Sequence, residues 1–384
     1  MPHLTLASLT TLRLGGPVGE PLYVSDHDDW QELVHTVGRR EEYSPLTLGH
    51  GSNVVASDTG HPGTVAVMNT RGITAKRHDD NTVLVSVLAG HPLTDLTAWA
   101  AAEHLSGIEC LAGIPGTVGA APVQNAGAYG QQVGDTLDHL TAWDWDMGRL
   151  RTLPAQACRL RHRDSRFKHD PGRWTILTVT FRLTHSPAAP ISYQPLAEEL
   201  GVQPGARPPV SEVTAAVLAN RHRRGLLLDP HGPDARQAGS VFLNPLVTAA
   251  QAARWSAADC PVHTDSDGQL RASAGWLLEH VGYRPGKKIA DGVRCSERRT
   301  LTLTAHNSAT AIGFVQALTD LVRQVERATS ITLHPEPVRV GTWPKGPPYV
   351  LHRHTLRDTE DQHHRGRRLP SPRLRWQDLR SEAT

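Results

Sequence analysis

Apolar positions along this chain recur in two periods, and the switches between them lay out an α+β organisation. Trp30, Leu33, Val34 and Val37 fall three and four residues apart, which predicts a helix over 29–38. The run PLTL at 45–48 reads as a short strand entering a glycine turn. Two β-branched runs, TVAVM at 64–68 and TVLVSVL at 82–88, are flanked by glycine and predict strands. A helix follows from Leu93 to about His104, with further strands at 139–145 and 174–183. These strands are too irregularly placed for a simple βαβ array. The Pro/Gly-rich stretch 201–209 reads as a linker. Beyond it, Val210, Val213 and Val217 mark a helix ending in the basic run 221–224. The clearest helix spans 308–329, with Ser308 as N-cap and Ile312, Val315, Leu318, Val322 and Val325 as its apolar stripe. After Gly341 the chain turns to Arg, His, Pro and Asp with few recurring apolar residues, which predicts a disordered tail over 343–384.

Composition narrows this little. The 384 residues are 39% hydrophobic and 20% charged, enough for two or three packed domains. A net charge of +2 provides no global field for nucleic acid. The first residues, MPHLTLASLT, lack the basic and long apolar regions of a signal peptide, and no apolar run approaches a membrane span. Cys110, Cys158, Cys260 and Cys295 form no CxxC pair, so neither a disulfide framework nor a zinc site is expected, and a reducing cytoplasm is the natural compartment. No metal site is expected, although the tail carries the histidine pairs His352/His354 and His363/His364.

The chemistry lies in the glycine turns. Gly49-His50-Gly51-Ser52-Asn53 directly follows a predicted strand, and glycine there lets backbone N–H groups approach a diphosphate closely. It is not a dinucleotide fingerprint, because Val54 stands where GxGxxG needs its third glycine. Gly286-Lys287-Lys288 is not a P-loop either, lacking both the earlier glycine and the Ser/Thr. The second block, GIPGTVGAAPVQNAGAYG at 113–130, is more specific. Its density of small residues cannot fill a core but suits a loop wrapped round a planar or extended ligand, with Gln124, Asn125 and Tyr129 supplying hydrogen-bonding groups.

LGHGSNVV followed by this block resembles the FAD-binding domain of the UDP-N-acetylenolpyruvoylglucosamine reductase family of peptidoglycan synthesis. CRLRHRDSRFKHD at 158–170, AGSVFLNP at 238–245 and LHPEPVRVG at 333–341 continue the likeness in order. It runs from about Thr10 to Gly341 and leaves only the tail outside. The resemblance implies a vanillyl-alcohol-oxidase-type FAD-binding domain, here residues 10–203, followed by an α+β substrate-binding domain at 204–342. It implies non-covalent FAD, NADPH as hydride donor, a nucleotide-sugar substrate, a monomer, and no nucleic-acid or membrane partner. The implied reaction passes a hydride to C3 of the enolpyruvyl group and a proton to C2.

Residue by residue, the resemblance places FAD on Gly49, His50, Gly51, Ser52 and Asn53. It adds Gly113, Ile114, Pro115, Gly116, Thr117, Gly119, Ala120, Gln124, Asn125 and Gly127 from the second block. Ser240 matches the proton donor, Arg163 the catalytic arginine and Glu336 the catalytic glutamate. A guanidinium fork suits a carboxylate, and a proton donor must face C2. Taken alone these residues read as a turn serine, a surface ion pair and an exposed charge; their shared order is what assigns them. Tyr193, Arg221, Arg224 and Asn244 are the implied substrate contacts, Tyr193 near the UDP part and the two arginines at the diphosphate. The sequence departs from the family at His162, where tyrosine is common, at Leu243, where a polar residue is common, and in the run Arg224 to Asp229. These departures leave open a related enoyl or nucleotide-sugar substrate. A non-catalytic UDP-sugar binder is the remaining alternative, and the retained Arg163, Ser240 and Glu336 speak against it.

Overall fold

The computed structural model describes residues 4–40, 44–191, 193–265 and 267–344; the tail expectation lies outside them. The first lobe is built on two main sheets. Leu22–Val24, Val65–Met68 and Leu46–Leu48 form a parallel sheet in the spatial order first, third, second. The helix His27–Arg40 connects its outer strands. The Leu22–Val24 strand is absent from the sequence reading, and with it a βαβ unit is present after all. At three residues it is too short to show a period. The second sheet is antiparallel and five-stranded, ordered Arg149–Pro154, Leu137–Asp144, Trp174–Thr184, Thr82–Leu88, Ile73–Arg77. Along Thr82–Leu88 the burial alternates strictly, as the Val-X-Val pattern predicts. Its inner face packs on the helix Leu93–Ala102, and Trp30, Trp143 and Trp145 fill the gap under His27–Arg40. Trp30 meets Trp143 edge to face at 5.8 Å.

The second lobe is a four-stranded sheet, Gln237–Ser240, Thr302–Ala305, Val293–Cys295, Lys288–Ala290, whose largest covering helix is Ala311–Thr329. Two expectations for that helix are corrected. Its N-cap is Thr310, not Ser308: Thr310 Oγ1 accepts from Gly313 N at 3.0 Å. The carboxylate of Asp58, from the first lobe, also accepts from Ala311 and Ile312 N at 2.8 and 2.9 Å. The buried stripe is Ala311, Phe314, Ala317, Leu318, Leu321 and Val325, while Ile312 stays 49% exposed. The stretch 201–209 is not a free linker. Gly205 N donates to Ile191 O and Ile191 N to Ala206 O, and a small core joins Ala188, Ile191, Val213 and Val217 to Cys110 and Ala112. That cluster straddles position 203. Leu12 and Leu14, near the start of the chain, pack in the second lobe's core.

Candidate active site

Gly49 opens the turn after Leu46–Leu48 because nothing larger fits. A Cβ there would lie 2.2 Å from Thr117 Oγ1. The two glycine-rich blocks therefore touch. Ser52 Oγ donates to Pro115 O at 3.2 Å, and Asn53 Nδ2 donates to Gln124 Oε1 at 2.5 Å. Gly119 allows the same closeness on the other side, since a Cβ would fall 2.5 Å from that of Ala89. Backbone bonds also tie the second block to the segment before Leu93–Ala102: Val118 N donates to His91 O and Leu93 N to Gly116 O. Beneath the block lies His91, whose ring nitrogens are buried without a hydrogen-bond partner. Burial lowers its pKa, with Asp95 opposing and Arg71 adding to the shift. Glycine backbone at close approach, with polar groups left over, is a donor set that fits the flavin's diphosphate and ring amide edges.

The joined blocks form one wall of an open cleft. Ser52, Asn53, Ile114, Pro115, Gln124 and Gly127 line it from the first lobe, with Arg163 beside them. Ser240 and Glu336 line it opposite, and Arg221 lies beside Gly113, so all three expected catalytic residues meet in one cavity. Arg163 has a left-handed backbone, φ 56°, in a tight turn that Arg161 and Asp164 close with two backbone bonds. Its Nη2 donates to Gly127 O at 2.5 Å, and its Nε lies 3.8 Å from Glu336 Oε1.

Glu336 reaches this point through backbone pairing. His334–Pro335 pairs with Phe242–Leu243 of the second lobe, and Glu336 N donates to Val241 O at 3.0 Å. Two residues on, Val338–Val340 pairs in parallel with Val54–Ala56 of the first lobe, and Val338 N donates to Asn53 O at 2.9 Å. Burial pushes the Glu336 carboxyl pKa up, against the charges of Arg163, Lys168 and Arg299. The cleft's charged lining is three guanidinium groups and one carboxylate, Arg163, Arg221, Arg299 and Glu336. That arrangement receives an anion.

Other expected residues stand elsewhere. Asn125 spends its side chain on structure, donating to Arg161 O and accepting from Gly134 N. Asn244 Oδ1 accepts from Ala274 N at 3.0 Å, at the start of the helix Ala274–His280. Tyr193 stacks edge to face on Tyr129 at 5.5 Å and is 36% exposed. Arg224 is the C-cap of Val210–Arg223. None of these four lines the cleft, nor do Gly49, His50, Gly51, Gly113, Gly116, Thr117, Gly119 and Ala120. Of the departures, Leu243 pairs with His334, and His162 lies near Arg271 and Arg163 with its pKa lowered to about 4 by burial and those charges. Missed by the sequence reading were Thr11, Leu226, Leu228, Gln237 and Arg299, which line the cleft without any local motif.

Residues 22–153 match the FAD binding domain family. Residues 231–340 match the C-terminal domain of UDP-N-acetylenolpyruvoylglucosamine reductase. A UDP-N-acetylenolpyruvoylglucosamine reductase of Salinispora arenicola is 40% identical over 345 residues, covering 88% of this chain and 94% of that protein. One from Cutibacterium acnes is 38% identical over 339 residues, covering 88% and 89%. Among solved structures, the Thermus caldophilus reductase (MurB) covers 89% of this chain and 98% of its own, with TM-score 0.57 and 23% identity, a likeness of fold.

Proposed function

Since the chain belongs to the UDP-N-acetylenolpyruvoylglucosamine reductase family, we propose that Arg163, Ser240 and Glu336 carry its reaction in the cleft between the lobes. The chain is an FAD- and NADPH-dependent oxidoreductase of peptidoglycan synthesis that forms UDP-N-acetylmuramate. The observation that carries the residue roles is the approach of Arg163 to Glu336 across the cleft, 3.8 Å apart, on the cavity that Ser240 also lines.

FAD, when bound, supplies the hydride chemistry, charged by NADPH and spent at C3 of the enolpyruvyl group. Hydride addition there puts negative charge on C2 and the neighbouring carboxylate. Arg163 Nη2 is held by Gly127 O and its Nε faces Glu336, which leaves Nη1 for that carboxylate. Glu336, its pKa raised, is suited to share a proton with the carboxylate and polarise it. Ser240 gives its hydroxyl proton to C2 and recovers one from solvent. The flavin lobe is read as 10–203 and the substrate lobe as 204–342. A monomer is the state proposed for it. Four free, buried cysteines support a reducing cytoplasm.

Ser240→Ala tests the scheme because it separates the half-reactions. With oxygen excluded, NADPH should bleach the flavin at a near-normal rate, since no proton is needed at C2. Reoxidation by the enolpyruvyl substrate should slow ~10²–10⁴-fold, and Ser240→Cys should recover part of it. Reoxidation at the wild-type rate in Ser240→Ala would remove Ser240 as donor.

A further inference from the structure

We infer that Arg299 is the positioning residue of the proton donor: its guanidinium turns the Ser240 hydroxyl proton into the cleft and holds the charge left on Oγ. The inference rests on the reading of Ser240 as donor. Arg299 Nη2 lies 3.3 Å from Ser240 Oγ and donates to it. A guanidinium has five N–H donors and no acceptor. When Oγ accepts from Arg299, its own proton cannot lie on that line and must turn elsewhere. The open direction is the cleft. Gly239, the residue before, has φ +75°, and nothing lies within 4 Å of where its Cβ would be.

Backbone register holds the pair together. Ser240 pairs with Thr302 across the sheet, and Val241 N donates to Leu301 O, so the segment leading from Arg299 into that strand is pinned beside Ser240. The placement is hard to explain as packing. Arg299 is a partly buried cation whose one side-chain hydrogen bond among the described residues goes to Ser240, and it makes no ion pair there. Its charged and titratable neighbours are Arg224, Arg221, Tyr129 and Glu336. Burial, then Arg224 and Arg221, pulls its pKa down to about 10, so it stays charged at neutral pH. Withdrawing a cation among cations is costly unless a negative charge arrives to meet it. The alkoxide formed when Ser240 releases its proton is such a charge, generated only during turnover and matched by a donor already in place.

An engineered thiol reports this coupling without catalysis or substrate. In Ser240→Cys the sulfur takes the place of Oγ. Burial raises Cys110 to about 12, Cys158 and Cys295 to about 11, and Cys260 upward, so the new thiol titrates first. The measurement is the rate of iodoacetamide alkylation against pH, on flavin-containing protein. Adding Arg299→Met should raise the pKa of the thiol at position 240 by at least about one unit. Arg299→Lys, which keeps the charge but not the fork, should give an intermediate value. Loss of like-charge repulsion favours folding of the methionine variant; if its melting temperature collapses, the lysine variant carries the same comparison. In the Ser240 background, Arg299→Met should slow substrate-driven reoxidation at least about tenfold. Identical thiol titration with and without the guanidinium would overturn the inference, whatever Ser240→Ala does. Wild-type reoxidation in Ser240→Ala would instead sink the donor reading while leaving the thiol shift intact.

Discussion

Gly49 is where the two glycine-rich blocks touch, and Gly49→Ala has a cost that follows from that contact. The added methyl would meet Thr117 Oγ1 at 2.2 Å, Cγ2 at 3.0 Å and Cβ at 3.2 Å. Thr117 is 2% exposed and has nowhere to swing. Overpacking of this kind costs ~1–3 kcal/mol, and the lower chain entropy of unfolded alanine returns ~0.4–1 kcal/mol. The net loss is then about 1–2 kcal/mol, or a melting temperature lower by roughly 1–3 °C for a chain of this size. The strain also has a direction. Pushing the turn away from Thr117 pulls Ser52 from Pro115, so flavin retained through gel filtration should fall with the melting temperature. Thr117→Ala removes the two closest atoms and leaves only the 3.2 Å contact, so the double variant should regain most of both losses. The double-variant cycle should show a coupling of about 1 kcal/mol or more. Additive losses, or a Gly49→Ala protein with wild-type melting and full flavin, would mean the blocks do not make one cofactor wall through this contact.

Acid precipitation should release all flavin into the supernatant; flavin left in the pellet would point to a covalent bond, with His50 the nearest candidate in the first turn. Arg163→Lys and Glu336→Gln should each slow substrate turnover about 10- to 100-fold, the size of a charged hydrogen bond, without weakening FAD binding. Normal turnover per bound flavin in a flavin-poor variant would reassign the residue to the cofactor. Asp265→Asn should destabilise the second lobe by about 3 kcal/mol, because the Asp265–Arg271 pair, 2.5 Å long, is only 2% and 11% exposed. Burial raises the Asp265 pKa, but the Gln269 N–H and Arg271 outweigh it and the net shift is downward. A lowered folded pKa stabilises above the ordinary carboxyl value and loses that stability as pH falls through the lowered one. The gap between wild type and variant in urea melts should therefore narrow from neutral pH to below about pH 4.

What could be read from the sequence was whatever local period and local motif encode. The alternation along Thr82–Leu88 and the helical spacing after Trp30 reached the structure nearly unchanged. So did the meeting of Arg163, Ser240 and Glu336, because motif order carried them together. Misses came where a distant partner decides. Thr310 displaced Ser308 as cap, and Asp58 supplied two further acceptors from the other lobe. Ile312 has the right residue type for a core stripe, but the sheet approaches the helix along Phe314 and Leu321. No local motif announces that backbone groups take both amide atoms of Asn125, or that Asn244 Oδ1 accepts from Ala274 N. Arg299 has no signature at all; its position is a matter of strand register across from Ser240.

The same register logic explains how one cleft can be built from segments so far apart in the chain. Glu336 stands between two short ladders, one anchored on Phe242–Leu243 and the other on Val54–Ala56. Ser240 lies just before the first anchor and Asn53 just before the second, so donor, carboxylate and flavin-side amide share one backbone frame. Leu12 and Leu14 cross in the opposite sense, from the start of the chain into the second lobe's core, and Thr11 Oγ1 donates to Gln237 O at 2.6 Å. The lobes are thus laced in both directions around the cavity. Such ladders depend on backbone N–H and C=O groups more than on side-chain identity. A site framed this way can keep its distances while the residues around it change, and substitutions such as His162 and Leu243 then alter the lining or its neighbours without moving the reacting groups apart.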